Sequence, residues 1–247
     1  MNPFEDIVKV DKDNNLKDSK LITVGSSVGG GKTVAIHTMI LNYIKSGINV
    51  ILFSETQGRS TRVLFAHIKL NFNKETMGKL ITFPLFFEDT IQLFNRTVEH
   101  HLEFLAGNTV IVIDGPMFEN QQSFSYKKFK NENTRFVLIE KYNKRTQLDI
   151  LKREEENPFM KKQVIVESLR SLAMNFNTHI ILSAQLNRMT SISDKSLMYA
   201  SDIYITIQRN ENKENTFVVR RAKDRMGNIG VIECGIDNNN LTFATIK

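Results

Sequence analysis

The chain is poor in several residue types that mark whole classes of protein. Its 247 residues include a single cysteine, Cys234, and no tryptophan. One thiol cannot close an intramolecular disulfide or build a cysteine-rich zinc site, so the chain fits a reducing compartment and Cys234 reads as a small apolar strand residue. There are only four prolines, no Pro- or Ser-rich linker and no internal repeat. No segment approaches the roughly 18 uninterrupted apolar residues of a membrane span, and "MNPFEDIVKVDKDNNLKDSK" at the N-terminus has no apolar h-region. A cytoplasmic protein with no membrane partner is expected. Acidic excess is missing too: 33 Lys and Arg against 27 Asp and Glu leave a net charge of +6. That balance suits a polyanionic partner, and it equally suits ordinary solubility.

What is present is an alternation. With 41% hydrophobic residues, 247 positions suffice for one sizeable core, and α/β folds of this size are routinely one domain. "KLITV", "NVILFS", "KLITF", "TVIVID" and "HIILSAQ" scarcely alternate in polarity and read as strands buried on both faces. Between them, 32–45, about 58–70, 89–105 and 161–175 carry helical spacing or composition, with Gly47 and Gly107 placed as helix stops. Strand and helix in turn predict a mostly parallel central sheet with helices on both faces. After Asp202, "IYITIQRN", "NTFVVRRAK", "GVIECGI" and "LTFATIK" are separated by Asn, Gly and Asp turns and predict antiparallel strands at the C-terminal edge. The expected organisation is an N-terminal extension over 1–20 and one domain over 21–247.

Glycine, sparse elsewhere, is concentrated in "TVGSSVGGGKT" at 23–33. A loop between a strand and a helix N-terminus can hold backbone N–H groups around a phosphate if glycines permit the dihedrals and the close approach. Gly31, Lys32 and Thr33 fill the last three places of the Walker A pattern G-x-x-x-x-G-K-[ST], and its first place falls on Ser26. The expected nucleotide cradle is therefore Ser26, Ser27, Val28, Gly29, Gly30, Gly31, Lys32 and Thr33. Lys32 would contact the β- and γ-phosphates of ATP or another NTP, and the Thr33 hydroxyl would ligate Mg²⁺.

A second metal-holding acid is needed on a neighbouring strand. In "NTVIVIDGP" an apolar run ends in Asp114 and puts a carboxylate at the carboxyl edge, where open α/β sheets bind ligands. An acid after an apolar run can also merely cap the following turn. "NVILFSE" ends in Glu55, which could orient or deprotonate the water that attacks the γ-phosphate, or could be a solvated loop residue.

"GSSVGGGKT", "ILFSE", "VIVID", "SAQLNR" and "AKDRMGNIG", in that order over nearly the whole chain, resemble the ATPase domain of DnaB-type replicative helicases and their RadA and KaiC relatives in the RecA-like superfamily. The resemblance implies that Glu55 is the catalytic glutamate and that Gln185 senses the γ-phosphate and relays its presence to DNA-binding loops. It also matches Lys223 and Arg225 to a K-x-R pair that reaches into the neighbouring subunit's nucleotide site. Single-stranded DNA, a homo-oligomeric ring of hexameric type and replication proteins are the implied partners. The chain departs from the family's pattern in two places. Only about twenty residues precede the first strand, where these helicases carry a helical domain and a linker helix, and "SLMYASD" offers Met198 and Tyr199 where they usually have acids.

The "KDR" motif is expected on a hairpin at the far edge of the sheet, from which it projects outward more easily than it folds back over its own P-loop. Three functions fit these residues: a helicase motor on single-stranded DNA, a strand-exchange or repair ATPase, and a nucleotide-switched loading or regulatory factor.

Residues 120–162 form a long connection that holds eleven Lys and Arg and six acids, +5 of the total +6. Phe124, Tyr126, Phe129, Phe136 and Tyr142 are interleaved with the cations, as in surfaces that pair phosphate contacts with base stacking. The aromatics could instead form the core of a small insertion, or the segment could recruit a partner. If the cations meet phosphates, neutralising Lys127, Lys128 and Lys130 will weaken single-stranded DNA binding and flatten its log–log salt dependence by a slope of about 0.7 per lost contact. Fluorescence anisotropy across a salt series reads this, and an unchanged slope assigns the segment to packing or partner binding.

Overall fold

The computed structural model of the chain describes residues 3–12, 15–54, 64, 66, 68, 78–84, 108–115, 166, 169–170, 173–174, 177–186, 195–237 and 242–246. The expected helix at 89–105, the basic segment 120–162 and Glu55 lie outside them.

An unbroken apolar run can bury both of its faces only in a sheet covered on both sides. Strands β1 (Lys20–Ser26), β2 (Asn49–Ser54), β3 (Leu80–Pro84), β4 (Thr109–Asp114) and β5 (His179–Gln185) form such a sheet. With β6 (Ile203–Arg209), β7 (Thr216–Asp224), β8 (Gly230–Asp237) and β9 (Thr242–Thr245) it reaches nine strands in the order β3-β2-β4-β5-β1-β6-β7-β8-β9. Every pairing from β3 to β6 is parallel and every pairing from β6 to β9 antiparallel, as the change of pattern after Asp202 predicts. β1 runs two residues past the apolar "KLITV", because Gly25 and Ser26 continue to pair with Ala184 and Gln185 on one side and with Thr206 and Ile207 on the other.

Helix α1 (Lys32–Lys45) covers one face and packs against β1, β2, β4 and β9. All ten of its residues from Ala35 to Ile44 are buried, so the helix is enclosed on every side and not merely laid on the sheet. Part of the enclosure comes from the N-terminal segment, whose Phe4, Ile7 and Leu16 are fully buried in the same cluster. The Arg221 guanidinium fastens that segment to β7, donating to both carboxylate oxygens of Asp6 at 2.6 Å. α1 stops where Gly47 takes φ 76°, with Gly47 N–H donating to the Ile44 carbonyl and Ile48 N–H to that of Tyr43. This is the paired closure of a Schellman motif, and it needs a residue that tolerates positive φ.

The other face is covered by helical residues Val166, Leu169 and Ala173 and by Leu197, packed on Leu21, Ile51, Ile111, Ile180 and Leu182. Leu197 belongs to a short helix, α2 (Lys195–Ala200), which the "SLMYASD" segment does not announce: six residues are too few for a helical period to register. No helix among the described residues is long and apolar enough to cross a membrane.

His37 lies within the enclosed stretch of α1, 3% exposed, and burial pushes its imidazole down to about 4. The folded protein thus holds His37 neutral while the unfolded chain protonates near 6.5. Stability from this group is intact above pH 6.5 and declines as pH falls toward 4. At pH 5 the linkage amounts to roughly 2 kcal/mol. Replacing His37 by Gln should flatten the drop in urea midpoint between pH 7.5 and 5; an unchanged drop would show that His37 does not drive it.

Candidate functional site

Because β1, β2, β4 and β5 are parallel, their carboxyl ends share one edge of the sheet, and Ser26, Gln185 and Asp114 stand along it. Ser26 closes β1 and pairs with Gln185 at the end of β5, and the main chain past Gln185 stays attached, with Leu186 N–H donating to the Ser26 carbonyl at 2.9 Å. Asp114 closes β4 opposite Ser54 of β2, the residue just before Glu55. One strand, β5, separates the P-loop strand from the Asp114 strand, which puts the two about 10 Å apart at the usual strand spacing. Gln185 stands on the strand between them with its side chain exposed.

Asp114 is 8% exposed, so its carboxylate is set into the edge. The chain turning away from it is held by β5, because Gly115 N–H donates to the Ser183 hydroxyl at 2.9 Å and that hydroxyl donates back to the Gly115 carbonyl at 3.3 Å. Ser183 is a positioning residue that the sequence pattern hides inside an apolar strand.

The loop between β1 and α1 leaves the sheet through a tight turn, Gly30 N–H donating to the Ser27 carbonyl at 3.0 Å, and the Ser26 hydroxyl donates to the same carbonyl. Gly31 caps α1 at φ 91°, and Ala35 N–H makes the first helical bond, to the Gly31 carbonyl. The N–H groups of Lys32, Thr33 and Val34 therefore precede any intrahelical acceptor and form, with the positive end of the helix, an anion-binding terminus. Among the described residues no carboxylate pairs with Lys32. The donor set fits a nucleotide triphosphate: main-chain N–H groups and an ammonium for the phosphates, and the Thr33 hydroxyl with the Asp114 carboxylate as oxygen ligands suited to Mg²⁺.

Gly31 is constrained twice. Its φ lies in the left-handed region, and a Cβ there would stand 2.9 Å from Phe243 Cζ and 3.1 Å from the Phe217 ring. Phe217 of β7 and Phe243 of β9 pack at 5.2 Å between centroids, so the antiparallel half of the sheet supplies the floor of the P-loop. Phe243 is also tied to α1 by its N–H, which donates to the Thr38 hydroxyl at 2.8 Å.

Lys223 and Arg225 do not join this edge. β7 runs antiparallel to β6, so Val219 is level with Ile207 and hence with Ser26, while Asp224 pairs with Ile203 near the start of β1. The "KDR" turn therefore lies toward the amino edge, about 13 Å down the strands from the level of the P-loop entry. Distance along the strands, and not across the sheet, keeps it from its own P-loop: β7 is only two strands from β1. Both cations are held within the chain. Lys223 Nζ donates to the Met198 and Tyr199 carbonyls of α2 at 2.8 and 2.6 Å, and burial together with Arg225 lowers its ammonium below the usual lysine range. Arg225 Nε stands 3.0 Å from Asp202 Oδ1.

No protein-family model and no curated protein matches the sequence. Solved structures do match the fold, that of RecA-like P-loop ATPases. One of them, described as an ATPase domain, superposes with a TM-score of 0.59 at 14% identity, over 93% of this chain and 85% of that one. The RadB recombinase gives 0.58 at 15% identity, covering 94% of each chain. A DnaB-like replicative helicase, described together with its interactions with primase, gives 0.58 at 14% identity over 92% of this chain; the chain spans 59% of that helicase's length.

A methyl group at Gly31 would meet both the dihedral strain and the Phe217–Phe243 floor. Gly31→Ala should lower stability by about 1–3 kcal/mol and weaken binding of a fluorescent nucleotide at least tenfold. Thermal melts and a nucleotide titration test this, and wild-type affinity would show that the loop does not depend on this geometry.

Proposed function

We propose that this chain is a Mg²⁺-dependent NTPase motor akin to DnaB-type replicative helicases, acting on single-stranded DNA as a ring-shaped homo-oligomer of hexameric type. The observation that carries this reading is the placement of the P-loop and the Lys223–Arg225 turn at opposite edges of one sheet. A subunit so built cannot complete its own site with its own arginine, but a neighbour stacked edge to edge can.

In this reading the P-loop N–H groups and Lys32 hold the phosphates, while Thr33 and Asp114 hold Mg²⁺. The ion, when bound, draws negative charge from the β- and γ-phosphate oxygens. Glu55 takes a proton from a water that attacks the γ-phosphorus in line, the bond to the bridging oxygen breaks, and the nucleoside diphosphate leaves. Gln185, beside Ser26, reports the γ-phosphate to the chain that follows β5. Arg225 and Lys223 come from the next subunit and offset charge on the transferred group. Lys223 must leave the Met198 and Tyr199 carbonyls to do so. Replication proteins are proposed as partners, with residues 120–162 among the surfaces that meet DNA or those partners.

A second reading, a recombination or repair ATPase, is supported by the likeness of the fold to the RadB recombinase, whose TM-score of 0.58 equals that of the DnaB-like helicase. A forked-duplex unwinding assay separates the two. A loading or regulatory factor that uses nucleotide as a switch would bind it tightly and turn it over negligibly.

The motor reading makes a linked set of expectations. Lys32→Ala should lose nucleotide affinity, and Glu55→Gln should keep it while hydrolysis stops. Arg225→Ala should bind nucleotide nearly normally and turn over about 10³- to 10⁵-fold more slowly. Mixing Arg225→Ala with Lys32→Ala should recover activity at interfaces that pair an intact P-loop with an intact arginine. Full turnover by Arg225→Ala as a dilute monomer would overturn the shared site.

A further inference from the structure

Asp202 ties β1, Arg225 and Arg170 together. Its N–H donates to the Leu21 carbonyl at 2.8 Å, and its Oδ2 accepts Leu21 N–H at 2.9 Å, so both its main chain and its side chain are fixed to β1. Its other oxygen, Oδ1, lies 3.0 Å from Arg225 Nε and 3.4 Å from Arg170 Nε, and its carbonyl accepts Arg225 N–H at 3.1 Å. The adjacent Ser201 adds a third attachment: its hydroxyl meets that of Thr23 on β1 at 2.6 Å. The Asp202 side chain is 13% exposed and that of Arg225 is 43% exposed. The carboxylate is thus rigid and the guanidinium it holds reaches solvent.

From this geometry we infer that Asp202 is the positioning residue for Arg225, aiming its guanidinium out of the amino edge toward the nucleotide of a second copy of this chain. The inference rests on the proposed role of Arg225 in trans. The ion pair approaches the guanidinium on its Nε side and leaves the paired terminal amino groups, an edge that matches a phosphate bidentately. An ion pair with a half-exposed arginine adds little to stability, and many such pairs contribute nothing measurable. Holding a reacting contact in place is a different matter, since a displacement of about 1 Å can lower a rate by 10²-fold. The two-point anchor on β1 also means that the strand leading into one subunit's P-loop sets the arginine serving the next.

Asp202→Asn tests this, because the amide oxygen can still accept Leu21 N–H while the charge facing Arg225 is lost. The expected result is a melting temperature within a few degrees of wild type, little change in KM for ATP, and turnover reduced at least tenfold. In Asp202→Asn/Arg225→Ala, turnover should equal that of Arg225→Ala alone, since the two changes remove one function. Mixed with Lys32→Ala, the Asp202→Asn subunits should regain activity, because their own P-loops are intact and the arginine then comes from a subunit with Asp202 in place. Asp202→Glu, which keeps the charge but shifts it by one methylene, serves if the amide variant does not fold, with the same loss and the same recovery expected.

Wild-type turnover in Asp202→Asn while Arg225→Ala is slow would overturn the inference and leave the trans arginine standing. So would multiplicative losses in the double variant, or Asp202→Asn subunits that stay inactive in the mixture, since either means that Asp202 acts on its own P-loop. Wild-type turnover in Arg225→Ala would instead overturn the reading of Arg225 itself.

Discussion

Strand β1 is hydrogen-bonded on both sides by parallel neighbours, β5 and β6, and the chemistry of the site depends on that double pairing. A strand paired on both sides has no slack in register: a slip of one residue would turn every side chain to the opposite face. Seven consecutive β1 residues, all buried, pay heavily for any such slip, so the point where the chain leaves the sheet at Ser26 is fixed. Everything required of the P-loop follows from that exit. The turn at Ser27–Gly30 lifts the chain to the N-terminus of α1, and parallel pairing brings Gln185 and Asp114 to the same edge. The antiparallel return of β7 takes Lys223 and Arg225 to the other. A single choice of strand direction at β6–β7 separates the two halves of the proposed shared site.

The antiparallel half of the sheet is more than an edge cover. Phe217 and Phe243 fill the space under Gly31, and Phe243 is bonded through its N–H to Thr38 inside α1. The P-loop helix therefore has a sheet surface on one side and a C-terminal strand on another, with Phe4, Ile7 and Leu16 of the N-terminal segment in the same cluster. An enclosed helix of this kind carries little freedom to tilt. A phosphate-binding terminus gains from that rigidity, because N–H groups already aimed at the ligand need no reorganisation when charge arrives.

The parts of this arrangement that sequence reveals are those with local causes. Long apolar runs locate the core strands to within two residues, since burial on both faces leaves a mark at every position. α1 runs from Lys32 to Lys45 as its spacing predicts, and Gly47 stops it through a dihedral few other residues accept. What escapes sequence depends on partners far along the chain. Asp202 meets Leu21 across 181 residues, Ser183 supports the turn after Asp114 across 68, and the Phe243 N–H finds Thr38 across 205. Lys223 shows the difference within one motif. Its spacing from Arg225 supports the family resemblance, but nothing local reveals that its ammonium caps α2, a helix too short to be read.

One cluster has the look of catalytic machinery and belongs to the fold. The Tyr43 hydroxyl meets His179 Nδ1 at 2.7 Å, His179 Nε2 lies 3.2 Å from Asp18, and Asp18 pairs with Lys20 at 2.9 Å. Burial drives the His179 imidazole toward its neutral form against the pull of Asp18, while bonding to His179 holds Asp18 far below the usual carboxylate range despite its burial. A neutral ring with its proton on Nε2 satisfies both neighbours, donating to Asp18 and accepting from Tyr43. Tyr43 and His179 are fully buried, and burial raises the Tyr43 hydroxyl pKa still further from ionisation. No substrate can approach either atom. Tyr43, His179 and Asp18 sit at the amino edge and join the last turns of α1, the first residue of β5 and the segment entering β1, so that the end of α1 remote from Gly31 is secured by polar bonds the interior cannot leave unmade.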